Sequence, residues 1–506
     1  MKVIVSNNVF ISNGNRLKPN DDFVIEESEH SLGLSGIVLN SEQMNPKDIM
    51  ENITQGLTQR LYKGSYVLWL YDKRNERIYV ANDLLSKQSV YYYAKDGLIL
   101  INTSLFDLCS DLRDNDRTPE LDLDAVDYFC RNRVFCGDMT YEANTSFLTA
   151  YSYIVINCRE KTIEVKRLPI PKMKNTNEIN ENQTIENMDK LFSEACLLQW
   201  RKNEIYGTDQ VFTISGGMDS RATFLRITGG RDKSSIKTYT YAQSGSIDAQ
   251  ISKKFTEKQQ VDNTFIPLEN CEFTYLRDEI IDANEGQMYY IGATGAILMA
   301  KMCRSKGNMG IVHTGIGGGE ILGDNCIVVG DTAVSSESDI TINQQRNLDD
   351  IRECLNFQKT TSNYFSPFSP FLYEDFFEYT MCIPISIRMR RKLYLKWYEK
   401  HMNADLPPNT NYSPISRIIR SIKAKMYDAL GKRDPSNMNP HHFWYDTQPK
   451  LREYVSTTWK NDCEILHVHK ELLELLERYY EQDILHKYSV LTVTASAIRI
   501  LGLNKS

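Results

Sequence analysis

The stretch from Val211 to Arg221, which reads Val-Phe-Thr-Ile-Ser-Gly-Gly-Met-Asp-Ser-Arg, constrains the fold of this chain more than any other. Its first four residues are β-branched or aromatic and suit a buried strand, and a helix-compatible run, 220–227, begins after the turn. Because Gly216 and Gly217 have no Cβ, the backbone can bend sharply and bring N–H groups against a ligand. The stretch therefore predicts a strand, a tight turn and a helix whose first N–H groups bind phosphate.

The turn lacks the lysine of a Gly-x-x-x-x-Gly-Lys-Ser/Thr loop, which argues against a kinase-type site, and it carries Asp219 where a metal ligand could stand. The pattern Ser-Gly-Gly-x-Asp-Ser resembles the pyrophosphate-binding loop of the N-type ATP pyrophosphatases, and the chain most resembles the asparagine synthetase superfamily. In that family the loop holds the β,γ-pyrophosphate while a carboxylate attacks the α-phosphorus, and the product is an acyl-adenylate. The alternative is a glycine-rich turn that binds nothing.

The composition is that of an ordinary globular protein, because 41% of the 506 residues are hydrophobic and 25% are charged. This length predicts two to four domains. The net charge of −7 argues against nucleic acid or a membrane surface as the main partner. No apolar run is long enough for a membrane helix, and the 11 cysteines form no Cys-x-x-Cys pair, which fits reduced thiols. We therefore expect a cytoplasmic protein with no membrane partner.

The periodicity changes along the chain, which predicts a mixed α/β protein of two domains. Residues 1–168 alternate and turn like antiparallel β structure, with a strand predicted at Gly64–Asp72. Polar residues around 169–184 predict a linker. From 185 to 506, helical and strand patterns alternate at first, as in a doubly wound parallel sheet, and further helices follow. The order of the first part resembles the class II glutamine amidotransferase domain of asparagine synthetase, which implies an N-terminal nucleophile hydrolase-like β-sandwich with flanking helices.

One departure from that resemblance changes the expected activity. Glutaminase activity in the family requires an N-terminal cysteine exposed by removal of methionine, whereas residue 2 is Lys2 and the first cysteine is Cys109. The first domain should therefore not hydrolyse glutamine. In this respect the chain resembles the β-lactam synthetases and the macrolactam-forming cyclases of lasso peptides, which also lack that cysteine.

A second apolar strand runs into glycines at 311–324, in Ile-Val-His-Thr-Gly-Ile-Gly-Gly-Gly-Glu-Ile-Leu-Gly-Asp. This stretch resembles the second nucleotide loop of the family, which implies that Thr314 and Gly315 contact ATP. Gly319 stands where the family has its second Mg²⁺ ligand, an aspartate. Mg²⁺ is often held by one or two carboxylates together with phosphate oxygens and water, so Asp219 could suffice, with Glu320 or Asp324 moving in. Otherwise the site has lost its activity.

Other candidate residues follow from the expected sheet and from the resemblance. Ligands of such sheets bind beyond the carboxyl ends of the strands, which places Tyr241 near the nucleotide. Asp248 is equally consistent with helix capping and with an acidic residue that the family has nearby. The family also uses a lysine from the C-terminal half to stabilise charge. The predicted nucleotide-binding residues are Thr213, Ser215, Gly216, Gly217, Asp219, Ser220, Tyr241, Thr314 and Gly315; the predicted metal ligands are Asp219 and Glu320; the guessed catalytic lysines are Lys423 and Lys425.

The resemblance implies an ATP- and Mg²⁺-dependent carbon–nitrogen ligase that adenylates a carboxylate and transfers it to an amine, without glutaminase activity of its own to supply that amine. Two substrate settings are open: ring closure within a peptide or small acid, and amidation of a sugar acid or amino acid in a biosynthetic cluster. A nucleotide-binding protein without catalytic activity is the competing class. The expected partners are a small-molecule or peptide carboxylate and an amine, with a homodimer or a biosynthetic partner protein also compatible, and no nucleic acid.

Overall fold

A computed structural model of the protein describes residues 1–6, 8–13, 21–41, 46–56, 58–293, 295–323, 352–402, 422–423, 426–427, 430 and 439–503. These residues form two compact units. The first comprises Met1–Ile170, Asn284–Tyr289 and Thr458–Ser506, and the second comprises Pro171–Ala283 and Tyr290–Thr457. The residues from Thr458 onward group with the first unit, whereas the sequence pattern places them in the second domain.

The first unit contains two antiparallel sheets. Its strands are β1 (Lys2–Val5), β2 (Val9–Ser12), β3 (Phe23–Glu26), β4 (His30–Val38), β5 (Gly64–Asp72), β6 (Arg77–Asn82), β7 (Tyr91–Lys95), β8 (Leu98–Asn102), β9 (Thr145–Phe147), β10 (Ser152–Asn157) and β11 (Thr162–Arg167). One sheet has the strand order β2-β1-β8-β7-β9, and the other has the order β11-β10-β6-β5-β4-β3. Strand β5 has the bounds predicted from the sequence.

The two sheets of the first unit pack face to face. Buried side chains from both sheets, such as Val3, Trp69 and Ile101, form one core between them. Ile49 and Ile53 of a helix pack on the other face of the six-stranded sheet. Further helices pack on the five-stranded sheet and on one another. The helices of this unit are α1 (Pro46–Thr54), α2 (Thr58–Leu61), α3 (Leu105–Asp114), α4 (Leu123–Asn132), α16 (Lys470–Tyr480) and α17 (Ile484–Ile500), and α15 (Pro449–Ile465) begins in the second unit and ends in the first.

The second unit is built on a parallel sheet. Its strands are β12 (Val211–Thr213), β13 (Lys237–Ala242), β14 (Asp262–Pro267), β15 (Ile311–His313) and β16 (Ser366–Phe368). They pair in the order β14-β13-β12-β15-β16, and every pair is parallel. The predicted mixed α/β class, with antiparallel sheets first and a parallel sheet later, is confirmed.

Helices cover both faces of the parallel sheet. Val211 and Val312 share a core with Met299 on one face. Phe212 points to the other face, where its ring packs against Phe224. The helices of this unit are α5 (Glu181–Tyr206), α6 (Met218–Thr228), α7 (Ile247–Gln259), α8 (Arg277–Asn284), α9 (Ala296–Lys306), α10 (Gly318–Leu322), α11 (Glu374–Met381), α12 (Ile385–Arg388), α13 (Lys392–Met402) and α14 (His441–Thr447), and residues 352–359 are also helical.

Candidate functional site

Both glycine turns lie at the same edge of the parallel sheet. Strands β12 and β15 are neighbours in the sheet although about a hundred residues separate them, since Phe212 pairs with His313. The strand order reverses between these two strands, and such a switch point is where open parallel sheets bind their ligands, beyond the carboxyl ends. The first turn, Ser215–Ser220, follows β12, and the second, Thr314–Gly319, follows β15. The sheet therefore brings the two predicted loops together.

Three consecutive N–H groups of the first turn each point at a side-chain oxygen. Ser215 N–H donates to Oγ of Ser220 at 3.0 Å, and Gly217 N–H donates to Oγ of Ser215 at 3.1 Å. Between them, Gly216 N–H donates to the Asp248 carboxylate. The first three N–H groups of α6, which begins at Met218, have no acceptor within the helix by its geometry. The turn thus presents inward-facing donors to negatively charged or polar oxygens.

The Asp248 carboxylate accepts the middle N–H group of this turn. Its Oδ1 receives the Gly216 N–H, and a Cβ on Gly216 would lie 2.6 Å from that oxygen, so only glycine permits the approach. Burial raises the pKa of Asp248, whereas the Gly216 bond and the charge of Arg221 lower it. The N-cap of α7 is Ser246, whose hydroxyl accepts from Ala249 N–H. Helix capping is therefore served by Ser246, and the carboxylate of Asp248 serves the turn.

Asp219, the predicted metal ligand, joins the two turns. Its Oδ1 accepts from the hydroxyl of Tyr394 at 2.5 Å, and its Oδ2 accepts from Gly319 N–H at 3.2 Å. Burial raises the pKa of this carboxyl, and the Tyr394 bond and then the charge of Arg391 oppose the increase. Asp219 therefore connects the start of α6, the second turn and α13. Gly319 stands where the family resemblance expects an aspartate, and its backbone N–H faces the carboxylate.

The second turn uses its glycines for close packing against the first. A Cβ on Gly315 would lie 2.3 Å from the backbone N of Ser220, and one on Gly318 would lie 2.6 Å from Cγ of Asp219. Thr314 is buried and bonded within the protein: its N–H donates to Phe368 O at 2.8 Å, and its hydroxyl accepts from Gln358 at 3.2 Å. Gly315 and Gly318 thus allow the two turns to lie in contact, whereas the bonds of Thr314 go to β16 and to the helical residues 352–359.

Comparison with models of protein families finds no match, and comparison with characterised proteins finds no similar sequence. Among the residues that the structure describes, no helix is both long and apolar enough to cross a membrane.

Two arginines that the sequence analysis did not select lie at the first turn. Arg221 is buried, and its Nε donates to Gly217 O at 3.1 Å. Arg391 is half-buried, and its charge opposes the increase that burial causes in the pKa of Asp219 and of Tyr394. Its φ of 58° lies in the left-handed region, which is unusual for a residue with a long side chain and is often found at functional sites. The basic run around Arg391 was visible in the sequence, but its place beside Asp219 was not.

The remaining predicted residues lie in different surroundings. Tyr241 is half-buried near Gly295, where a Cβ would approach its ring to 2.7 Å, and burial raises its pKa. The hydroxyl of Thr213 lies 3.5 Å from the carbonyl oxygen of His313. Lys423 is exposed, and no bond or ion pair joins it to the turns in the described part of the chain. Lys425 and Asp324 lie outside the described residues.

A divalent cation can be held by protein ligands alone or by one or two carboxylates together with phosphates and water, and the side chains near the turns are compared with both modes. Glu320 lies half-buried in the first turn of α10. Within the described ranges, no three histidine, cysteine or acidic side chains group closely enough to hold a metal ion. A complete protein cage is therefore not found there. Asp219 fits the other mode of Mg²⁺ binding, in which one or two carboxylates act together with substrate phosphates and water.

At the start of the first unit, Lys2 forms an ion pair with Asp111 rather than facing an open site. The other carboxylate oxygen of Asp111 accepts from Asn102 at 3.0 Å. Burial raises the pKa of Cys109 and of Cys130, both of which are buried helix residues, so neither thiol is activated as a nucleophile.

Proposed function

We propose that the protein is an ATP-dependent amide-bond-forming ligase that adenylates a carboxylate and releases pyrophosphate. The observation that carries this proposal is the junction at Asp219, which connects two glycine turns at the switch point of a parallel sheet. The carboxylate of Asp248 on Gly216 N–H supports it further, because an internal anion already occupies one donor of the first turn. The reaction class, adenylation with release of pyrophosphate, is inferred from the resemblance of the first turn to the N-type ATP pyrophosphatase loop.

In this proposal the first turn binds the β- and γ-phosphates of ATP. Ser215, Gly216, Gly217 and Ser220 supply N–H and hydroxyl donors, and the start of α6 adds a favourable dipole. Asp219 would hold Mg²⁺, which would supply positive charge against the phosphates. Arg221 and Arg391 replace the guessed Lys423 and Lys425 as the cations that offset negative charge, since both act on Asp219.

The chemistry proceeds by two displacements. A carboxylate oxygen of the substrate forms a bond to the α-phosphorus, the bond from that phosphorus to the oxygen bridging the β-phosphate breaks, and pyrophosphate leaves with the electron pair. The amine then attacks the acyl carbon, AMP leaves, and the proton of the amine passes to solvent. The residues of the turns bind, orient and neutralise charge in both steps.

The first unit serves in this proposal as a scaffold related to glutamine amidotransferase domains. Two face-to-face antiparallel sheets with helices outside support an N-terminal nucleophile hydrolase-like arrangement. The pairing of Lys2 with Asp111 supports the loss of glutaminase chemistry. The amine therefore comes from outside this unit, either from the same substrate in a ring closure or from a second molecule in the amidation of a sugar acid or amino acid.

Pyrophosphate release tests the proposal. The protein is incubated with Mg²⁺-ATP and panels of peptide, amino-acid and sugar-acid carboxylates, with hydroxylamine to trap the acyl-adenylate. We expect pyrophosphate and AMP in equal amounts with at least one acid, and a loss of at least about a hundredfold in Asp219→Asn. Asp232→Asn removes an exposed carboxylate and is the matched control. Release that is undiminished in Asp219→Asn would contradict the assigned site.

A nucleotide-binding protein without catalysis is the second candidate. The observation that favours it is Gly319, whose N–H faces Asp219 where the family has a second metal-binding carboxylate. Such a protein binds ATP in a calorimetric titration but yields neither pyrophosphate nor AMP with any acid. A protein that binds no ATP excludes both candidates.

A further inference from the structure

The segment 388–394 contacts the helix after the second glycine turn at its start and the first glycine turn at its end. At its start, Arg388 is fully buried, and its Nη1 donates to the carbonyl oxygen of Ile321 at 2.6 Å, at the end of the second turn's helix α10. At its end, the Tyr394 hydroxyl donates to Asp219. The same segment therefore contacts the helix that follows the second turn and the carboxylate that joins both turns.

The position of the Tyr394 hydroxyl is set by the core around its ring. Tyr394 is fully buried, and its ring stacks on Trp397 with 5.6 Å between centroids and 24° between planes. The indole N–H of Trp397 donates to Asp189 of α5 at 3.2 Å, which fixes the indole in turn. A rigid aromatic ring held in this way leaves its hydroxyl little freedom, so the Asp219 carboxylate has a fixed donor.

The two carboxylate oxygens of Asp219 are held from two sides. Tyr394 donates to Oδ1 and Gly319 N–H donates to Oδ2, which fixes the plane of the carboxylate. Each carboxylate oxygen has a second lone pair, so both bonds are compatible with a metal ion on the remaining positions. Hydrogen bonds of this kind orient metal-binding carboxylates, and their removal typically lowers metal affinity roughly ten- to a hundredfold.

We propose that Tyr394 is a positioning residue that holds the Asp219 carboxylate in the orientation that receives Mg²⁺ together with the triphosphate. This inference rests on the proposed function, because it requires ATP and Mg²⁺ at the first turn. Tyr394 itself touches neither the nucleotide nor the reacting atoms. It acts through Asp219, and its contribution therefore belongs to the metal-dependent part of nucleotide binding alone.

The test measures ATP affinity by calorimetry with excess Mg²⁺ and with a chelator, and compares the two values. The ratio of the ATP affinity with Mg²⁺ to the ATP affinity with chelator is the increase in affinity due to the metal, which we call the metal gain. In Tyr394→Phe we expect the metal gain to fall about tenfold while the affinity without metal stays within about twofold. Tyr398→Phe is the matched control, because it removes a hydroxyl from an equally buried tyrosine one turn further along α13. The control should keep the wild-type gain.

Each outcome decides the inference. An equal metal gain in Tyr394→Phe and Tyr398→Phe overturns the positioning role but leaves the ATP site in place. Wild-type protein that binds ATP without any metal gain also overturns it. Wild-type protein that binds no ATP overturns the proposed function as well, which separates the two failures. If Tyr394→Phe does not fold, Trp397→Phe removes the indole N–H that is bonded to Asp189 and so loosens the ring stacked on Tyr394, and a smaller loss of metal gain is expected.

Discussion

The two glycine turns share a sequence pattern, a strand followed by glycines, but the structure uses their glycines for different purposes. In the first turn, Gly216 and Gly217 let N–H groups face oxygen atoms, and a Cβ on Gly217 would meet only Oγ of Ser215 at 3.2 Å. In the second turn, Gly315 and Gly318 are needed because the backbone and Asp219 of the first turn lie directly against them. The first turn is arranged around side-chain oxygens of the protein, and the second is arranged around the first.

This difference shows that a glycine-rich turn has two separate physical causes. A glycine can be required because a small anion approaches the backbone, or because another segment of the protein does. Thr314 illustrates the second cause, since its hydrogen bonds go to Phe368 and Gln358 within the fold. A resemblance to a nucleotide-binding loop therefore does not by itself show which residues contact a ligand and which residues pack against other segments of the protein.

The largest expected effect comes from adding a methyl group to each turn. Gly315→Ala places a Cβ against the backbone of Ser220, where no side chain can move aside, so we expect the free energy of unfolding to fall by about 3 kcal/mol. Gly217→Ala has a φ of −71°, which alanine adopts freely, and should cost less than about 1 kcal/mol. Urea unfolding measures both. Equal losses in the two variants would remove the distinction between the turns.

The second prediction concerns a buried titratable side chain. The strand that leads into the second turn carries His313, whereas the strand that leads into the first turn, Val211–Thr213, has no titratable residue. His313 on β15 is buried beside Phe212, and Nε2 lies 2.9 Å from Oε1 of Gln210. Burial lowers the pKa of His313 from 6.5 to about 3, so the folded protein keeps it neutral. Below pH 6.5 the unfolded chain binds a proton that the folded chain excludes. The stability that His313 contributes is complete above that pH and is lost as the pH falls toward 3.

We therefore expect His313 to lower the free energy of unfolding by about 1.4 kcal/mol per pH unit below its unfolded pKa, or about 2 kcal/mol near pH 5. His313→Gln removes the titrating group and should flatten this part of the pH dependence. His442→Gln removes an exposed imidazole of the same unit and is the control. Urea unfolding between about pH 7 and pH 5 provides the measurement. A slope that is unchanged in His313→Gln would show that the ring is already charged in the folded state.

The local parts of this fold could be predicted from the sequence. The strand pattern at Gly64–Asp72 matches β5, and the strand, turn and helix around Gly216 have the predicted order, because residue pattern and turn chemistry act over a few positions. The contact of Tyr394 with Asp219 could not be predicted, since the two residues are 175 positions apart and the tyrosine lies in an ordinary amphipathic helix. The catalytic lysine could not be predicted either, because the C-terminal half has several similar basic stretches and the sequence does not show which of them lies at the turns. Lys423 and Lys425 belong to one of these stretches.

The place of the last helix in the fold shows the same limit. Helix α17 is buried almost all round, so its sequence predicts a core helix but not which core receives it. It packs against α3 and α4 of the first unit, and Arg113 donates to the carbonyl oxygen of Ile500. Such pairings depend on side chains hundreds of positions away. The periodicity of the sequence indicates that a helix face is buried, but only the tertiary structure shows which elements pack against that face.

The smallest expected effect concerns the anion that the first turn already holds. If the turn is arranged around a ligand, Asp248 competes with phosphate for Gly216 N–H, and removing its charge should strengthen anion binding. In Asp248→Asn the amide oxygen can still accept the N–H bond, so the turn keeps its shape while the repulsion is lost. We expect the affinity for inorganic pyrophosphate, measured by calorimetry, to rise about tenfold. Glu257→Gln removes one negative charge from an exposed position of the same helix and should change the affinity little. A weaker affinity in Asp248→Asn would mean that the carboxylate braces the turn, and the first turn would then be packed by its own protein in the same way as the second.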